Sequence, residues 1–558
     1  MSRQLVLGLG RHAGTEVAGT GAAVSTQFLF TSMEEKLRRQ FTLVPVPPYY
    51  YSTDARRSLR VAIDILGRVD ACIFGLPPSP FDLDPFFIVR ERMGRRIPFV
   101  YMPLGEFPCG AWCYRNIYQH LRAGDVLLLS SRADKAIHDA LVDSTPARVV
   151  VAGFGIRAQN FRTSAAMRRI TRRHFGIDLD EIVFVYHGRV TAEKNIHGAM
   201  MMFRQISRKH QRLRLWIIGD TPGHQEPGPQ PAARLSSNSL TRAFRELVQD
   251  EALEDRVLFW GRVAPAALPG ILGAADVAVN FTLNADENFG YSTIEAMAAG
   301  LPVIGTDWGG LKDTIEDGAT GFRIPTVVTS RGVAVDLWVA CERALALVEN
   351  VAERRRMGAA ARRRVAERFN LDRFVNSIAD EVRAQISSCE SQQRIPHVWS
   401  ALGKRLSNKY SAVLPAIPPR VGPNRILFSP TLFSEHPLMR SVLEPYATER
   451  QSEKPKRRAV FFLATALVDI RLNTACSTDP RYVFNLKPSA PVDLALIRLL
   501  RKKGFCDQSG LARHVGRLFD RRCIENSLRR LLRAGIVLQS DGQARDRRGT
   551  DNAATRPA

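Results

Sequence analysis

Two glutamates, Glu287 and Glu295, stand at the ends of a nine-residue span, in the stretch ENFGYSTIEAMAAGLPVI that occupies residues 287–304. Carboxylates accept hydrogen bonds from sugar hydroxyls. Asn288, Phe289 and Gly290 lead into residues 292–299, where Ile294, Met297 and Ala298 share one helical face, so the spacing predicts a short helix. The free N–H groups at the start of a helix can hold an anion. Gly300-Leu301-Pro302 ends the helix, Val303-Ile304 predicts a buried strand, and Gly309-Gly310 opens the next helix. A second set lies upstream. Gly188-Arg189 closes a predicted strand, and Glu193-Lys194-Asn195 precedes a predicted helix. A guanidinium grips two oxygens at once and an ammonium acts as a point charge, while the helix start adds its dipole. Together these groups suit a phosphate with polyhydroxylated groups beside it. Taken singly, each set also fits an ordinary loop-helix-strand unit with surface charges.

The elements that must position these residues alternate. Residues 5–7, 43–45, 71–75, 98–101, 125–130 and 149–152 predict strands, with helices over 22–37 and 55–66. A second alternating set follows a basic linker near residues 162–173: strands at 182–186, 213–218, 257–260 and 277–280, and helices at 196–206, 240–248 and 268–272. Residues 221–238, rich in Pro, Gly and Ser, predict a long loop, and residues 333–386 are mostly helical. Such alternation implies parallel sheets covered on both faces, with ligands at the carboxyl ends of the strands. The predicted architecture is α/β: a Rossmann-like domain over 1–168, a second over 169–388, and a cleft between them. A poorly patterned connection follows over 389–480, then a small helical unit over 481–542 and a disordered tail over 543–558.

The chain has 558 residues and a formal net charge of +24. That balance favours polyanions, acidic lipid headgroups or phosphorylated ligands and says nothing of the fold. Eight cysteines are scattered, and Cys109 and Cys113 have no second pair to complete a zinc set. A reduced, cytoplasmic protein is expected. The first apolar run is too short for a signal peptide and residues 459–468 cover half a membrane span, so the chain is expected to be soluble or to lie against the inner face of a membrane. Asp82-Leu83-Asp84 and Asp178-Leu179-Asp180 both fit a three-letter acidic pattern for divalent cations. The second precedes its strand, at the wrong end of the sheet. Two hits to so short a pattern carry little weight, and no metal or other cofactor is expected.

The 287–304 stretch resembles the donor-binding signature of retaining glycosyltransferases of family 4, also called glycosyl transferases group 1, which have the GT-B fold. Glu287, Phe289, Gly290, Glu295, Ala296, Met297, Ala298, Gly300, Pro302, Val303 and Ile304 all match it. Gly188-Arg189 and Glu193-Lys194-Asn195 resemble the family's diphosphate-binding motif. The likeness covers about residues 1–386 and is strong from 182 onward. It implies an enzyme moving a sugar from a nucleotide-sugar donor, itself a substrate, to an acceptor with retention of configuration. Arg189, Lys194 and Glu287 are the implied catalytic residues. Gly188, Gly219, Asn288, Phe289, Gly290 and Glu295 are the implied donor-binding residues, with Glu287 on the sugar hydroxyls and Glu295 on the ribose. Gly19 and Gly21 are candidates for the family's glycine loop, and an ordinary helix-start turn fits them equally well. Residues 97–105 resemble a segment that usually ends Pro-His-Gly; Leu104 stands in place of the His, which leaves the sugar's identity open.

Residues 491–542 resemble a winged helix-turn-helix unit. Helices are predicted over 493–503, 509–518 and 521–533, with Leu494, Ile497 and Leu500 inward and a wing strand at 534–538. Residues 481–558 hold 17 Arg and Lys against 7 Asp and Glu, and Arg521 and Arg522 open the third helix. An anionic membrane surface, an acidic peptide or, less favoured, a nucleic acid suits such a face. The acceptor stays open between a glycan, a lipid-linked sugar and a peptide. The competing reading is a catalytically silent GT-B protein acting as a DNA-binding or nucleotide-sugar-responsive regulator.

Overall fold

The computed structural model describes residues 5–10, 21–46, 55–76, 83–93, 96–103, 120–141, 145–221, 224, 228–236, 239–249, 253–284, 287–329, 332–391, 444–448, 459–463, 468–471, 474–477, 485–486, 490–534 and 536–540. Gly19, Asp82, Leu104, and the tail over 543–558 lie outside these residues. Gly21 is the first residue of the helix Gly21–Leu37.

Strands β1 (Val6–Gly10), β2 (Thr42–Val46), β3 (Ala71–Leu76), β4 (Phe99–Pro103), β5 (Val126–Leu129) and β6 (Arg148–Val151) form a parallel sheet in the order β2-β1-β3-β4-β5-β6. The second sheet contains β7 (Ile182–His187), β8 (Leu213–Ile218), β9 (Gln230–Pro231), β10 (Val257–Gly261), β11 (Val277–Asn280), β12 (Val303–Thr306) and β13 (Gly321–Ile324), ordered β13-β12-β11-β7-β8-β10-β9. All its pairs are parallel except β9 with β10. β4, β5 and β11 are buried along their whole length, as strands covered on both faces must be, hence their unbroken apolar runs.

Two domain boundaries differ from the sequence reading. The helix Ala165–His174 belongs with the second sheet, because Asp276 takes Arg168 at 2.7 Å, Arg172 at 3.1 Å and the Val183 N–H at 2.9 Å. Asp276 is thereby a structural anchor. At the other end, the helix Leu371–Ser391 crosses back to the first domain, where Asp372 pairs with Lys36, Glu381 with Arg148 at 3.0 Å, and Arg383 with Gln40 at 2.8 Å. The stretch read as a loop over 221–238 carries β9 and a short 3-10 turn, Ala232–Arg234.

Loops at the carboxyl ends of both sheets meet across the cleft. Ser130 Oγ, just past β5, donates to the Asn288 carbonyl at 3.1 Å, and Arg132 reaches Asp313 through its N–H at 2.6 Å and Nε at 2.5 Å. Phe154, past β6, packs edge-on against Phe289, ring centroids 5.2 Å apart.

The small C-terminal unit starts earlier than its helical pattern indicates. Val460–Leu463, in the stretch read as connection, is the central strand between Phe505–Asp507 and Val537–Ser540, both antiparallel to it. The helices Pro491–Lys503, Gln508–Val515 and Arg521–Arg533 pack Leu494, Ile497, Leu500, Leu511, Ile524 and Leu531 against this sheet. The unit docks on the second domain. Arg204 and Gln205 donate to the carbonyls of Arg501 and Lys503 at 3.0 and 2.8 Å, and Trp338 meets Phe505 edge-on at 4.8 Å.

Residues 444–448, also within the stretch read as connection, lie in the cleft. The Tyr446 ring is fully buried and its hydroxyl donates to Asp134 of the first domain. Burial pushes the Asp134 carboxyl up to about 7, against the opposing hydrogen bonds of Tyr446, Ser130 and Ser131. An acid with a raised folded pKa keeps its proton where the unfolded chain has lost it, so folding stability falls as pH rises between the two values. Relative to Asp134→Asn, the wild type should therefore lose stability from about 3.8 to about 7 and show a constant difference above that. Urea midpoints of both proteins at about pH 5 and about pH 8 check this; a difference that does not change with pH rules it out.

Candidate functional site

β7 and β8 end side by side in glycines. Gly188 and Gly219 both adopt φ +141, a conformation open to glycine. A Cβ on Gly219 would fall 1.8 Å from the Gly188 carbonyl oxygen. The Gly188 N–H donates to the Ile218 carbonyl at 2.9 Å and the Gly219 N–H to that of Gly261 at 2.8 Å. The ladder thus runs one residue past each strand and then releases Arg189. The half-buried Arg189 guanidinium makes no hydrogen bond or ion pair among the described residues. Its carbonyl takes the Tyr186 hydroxyl at 2.7 Å. Burial holds that hydroxyl's pKa well above its ordinary value, and the charges of Glu287, Arg189 and Glu193 all act on it. Those three charges therefore all lie within electrostatic reach of the Tyr186 hydroxyl at the end of β7.

Lys194 ends the 3-10 turn Ala192–Lys194, and Asn195 leads into the helix Ile196–Ser207. Asn195 has φ +55, the only positive value at a described residue other than glycine; asparagine tolerates this left-handed conformation better than most residues. Its side chain folds back over Gly198, where a Cβ would lie 2.6 Å from Asn195 Oδ1. This geometry turns Lys194 toward the 287–290 loop, and its Nζ donates to Glu287 Oε2 in a largely buried ion pair. The Leu283 N–H, donating to the Glu193 carbonyl at 2.9 Å, joins the two loops.

Gly290, at φ +86, caps the helix Tyr291–Ala299, and Gly300, at φ +89, ends it. The Tyr291 and Ser292 N–H groups at its start have no helical acceptor. The Glu287 carbonyl takes the Gly310 N–H at 2.7 Å. Glu295, one turn into the helix, pairs with His187 Nε2 at 3.0 Å. Phe289 is buried among Phe154, Tyr291 and Phe369, so its side chain packs the domain interface and its backbone alone is left for a ligand. Thr191 Oγ1 and Asn288 Nδ2 are buried polar atoms with no partner among the described residues. Arg189, Lys194, Glu287, Glu295, Gly188, Gly219, Asn288 and Gly290 thus collect at the carboxyl ends of β7, β8 and β11.

Residues 167–364 match the family described as glycosyl transferases group 1. This half of the cleft is a group 1 glycosyltransferase domain. A D-inositol 3-phosphate glycosyltransferase of Gordonia bronchialis is 28% identical over 260 residues, covering 46% of this chain and 51% of that protein. N-acetyl-alpha-D-glucosaminyl L-malate synthase of Bacillus anthracis is 28% identical over 205 residues, covering 37% and 46%. The chain thus spans about half the length of the curated relatives it matches. Among solved structures, the sucrose-phosphate synthase of Thermosynechococcus elongatus superposes with a TM-score of 0.51 at 18% identity, over 69% of this chain and 100% of that one. Anabaena HepE in complex with UDP and glucose gives 0.51 at 16%, over 68% and 100%. The fold is GT-B.

Outside the group 1 site, Asp178 and Asp180 both pair with Arg212 on the surface, at 2.8 and 2.6 Å. Among the described residues no group of three or more His, Cys, Asp or Glu side chains is placed to hold a metal ion. A cleft of about 830 Å³ opens at the opposite edge of the domain, lined by Arg168, Asp276, Arg354 and Arg362. Arg168 already binds Asp276, and Arg354 and Arg362 cap helix carbonyls. The sequence reading passed over His187. Its signal was position: it ends β7, immediately before Gly188-Arg189.

The buried ion pair makes a stability prediction. Lys194→Ala leaves the Glu287 carboxylate without its ammonium, and removing one partner of such a pair costs roughly 3 kcal/mol. Adding Glu287→Gln should restore most of that loss. Denaturant melts of both variants measure it; equal losses in the single and double variants would show that the pair is not what stabilises the loops.

Proposed function

We propose that the chain is a glycosyltransferase that moves a sugar from a nucleotide-sugar donor to an acceptor with retention of configuration. The observation that carries this reading is the convergence at the end of β7. There, among the described residues, Arg189 has no hydrogen-bond or ion-pair partner, Lys194 pairs with Glu287, and the charges of Arg189 and Glu287 both act on the Tyr186 hydroxyl. In this reading Arg189 and Lys194 hold the donor's diphosphate, and their positive charge offsets the negative charge that grows on it as the bond to the sugar breaks. The N–H groups at the start of the Tyr291–Ala299 helix add to that field. Glu287 holds the sugar's hydroxyls and Glu295, steadied by His187, the ribose. The departing phosphate takes the acceptor's proton on the same face, so no side chain acts as nucleophile.

The acceptor belongs to the same proposal. It is a glycan, a lipid-linked sugar or a peptide, brought by the C-terminal unit, whose three helices and antiparallel strands support a winged-helix reading. Arg521 and Arg522 open its third helix at the surface. We place the protein in the cytoplasm, on the support of free thiols at Cys72, Cys341, Cys389, Cys506 and Cys523. Among the described residues no helix is long and apolar enough to cross a membrane. Contact with an anionic membrane surface would bring a lipid-linked acceptor within reach.

Two measurements test the reading. Glu287→Gln should lower turnover far more than it lowers affinity for the bare nucleoside diphosphate, since its partner is the sugar. If both fall together, the residue only supports its loop. Activity should survive EDTA, because cationic side chains do the electrostatic task of a metal; loss restored by manganese would instead implicate Asp82 and Asp84.

A further inference from the structure

Residues 444–448 make contacts that the donor chemistry does not use. The Tyr446 ring stacks on Trp308, centroids 5.5 Å apart at 28°. Its carbonyl takes the Gly309 N–H at 3.0 Å. Lys312 Nζ holds the flanking carbonyls of Pro445 and Ala447 at 3.2 and 2.9 Å. Thr448 and Thr326 exchange two further hydrogen bonds, at 2.9 and 2.8 Å. All these partners lie in the group 1 domain, yet the Tyr446 hydroxyl reaches Asp134 in the other. The segment is therefore fastened to one domain and tied by one hydroxyl to the second.

From Tyr446 two short routes lead to the Glu287 loop. The first goes through Asp134, whose Oδ2 lies 3.1 Å from Ser130 Oγ; the same hydroxyl lies 3.1 Å from the Asn288 carbonyl, so its single hydrogen is shared between these two acceptors. The second goes through Gly309. A Cβ there would lie 2.4 Å from the Glu287 carbonyl oxygen and 2.8 Å from the Tyr446 ring, so the Glu287 backbone and the Tyr446 ring clamp Gly309 between them. The next residue, Gly310, donates to the Glu287 carbonyl at 2.7 Å.

We infer that Tyr446 is a positioning residue: it fixes the 287–290 loop against both domains and so sets the place of the Glu287 carboxylate in the cleft. The consequence for turnover rests on the donor-site reading above; the consequence for loop order does not. Tyr446→Phe removes the tie to Asp134 and keeps the stack, while Tyr446→Ala removes both. Hydrogen exchange on the full chain without ligand should show the amides of residues 287–290 and 309–310 exchanging about tenfold faster in Tyr446→Phe, and faster still in Tyr446→Ala. Turnover of a nucleotide sugar by Tyr446→Phe should fall about tenfold, with affinity for the bare nucleoside diphosphate held within about twofold. Unchanged exchange at these amides in Tyr446→Phe overturns the inference, even if Tyr446→Ala fails to fold. Equal loss of turnover and diphosphate affinity also overturns it, because a general loss of structure would do that. Faster exchange in Tyr446→Phe, together with a wild type that transfers no sugar from any nucleotide sugar, would leave the positioning role standing and remove the proposed function.

Discussion

Keeping a carboxylate charged inside the cleft is the requirement around which the group 1 half is arranged. Glu287 is 7% exposed, and an ionised group so far from water needs a partner of opposite charge and fixed backbone around it. Lys194 supplies the charge. Asn195, at φ +55, turns the chain between Lys194 and the helix that follows. The loop itself is held by the Gly310 N–H on the Glu287 carbonyl, by the Trp308 indole N–H on the Asn284 carbonyl at 2.7 Å, and by Ser130 from the opposite domain. Few of these contacts would survive a larger residue at 198, 309 or 310, where an added Cβ meets neighbouring atoms at 2.2–2.6 Å.

Much of this was legible in the sequence because it is local. The alternating apolar runs of a doubly wound fold repeat over ten to twenty residues, as helix and strand periods do, and they located nearly all the strands of both sheets. The motifs from Gly188 to Lys194 and from Glu287 to Gly300 each span one strand end and one helix start, which is local, whereas the Lys194–Glu287 pair that joins the two motifs was not legible. Contacts without a period were not legible. Tyr446 belongs to a five-residue segment whose partners Asp134 and Trp308 lie 312 and 138 positions upstream. Val460–Leu463 is an apolar run that pairs with strands beyond residue 504, and nothing in its own four residues says with what. His187 was missed because a histidine at a strand end has many uses, and only the fold brings Glu295 within 3.0 Å of it.

Phe289 shows how a motif can be right in place and different in role. Its match to the donor signature is real, yet its ring lies in an aromatic cluster with Phe154, Tyr291 and Phe369 that joins the two domains. A large apolar side chain next to a charged loop serves that loop best by anchoring it, since burying it supplies stabilisation that the polar residues beside it cannot. Asn288 and Gly290, on either side, are then held at the cleft by a neighbour that does not face it.

The C-terminal unit extends the same logic to the far end of one helix. Lys194 precedes the first turn of the helix Ile196–Ser207, and Arg204, Gln205 and Arg208 occupy its last turns and the residue just beyond. Those three donate to the carbonyls of Arg501, Lys502 and Lys503. These are the carbonyls at the end of the helix Pro491–Lys503, which lack helical donors and carry the negative end of its dipole. Guanidinium groups suit that end, so the contact satisfies the C-terminal helix while it fixes the orientation of the helix that presents Lys194. A displacement of the C-terminal unit would therefore be felt first at the base of that helix, and through it at Lys194. The unit's packing and the placing of the ammonium are one mechanical arrangement, although more than three hundred residues separate them in the chain.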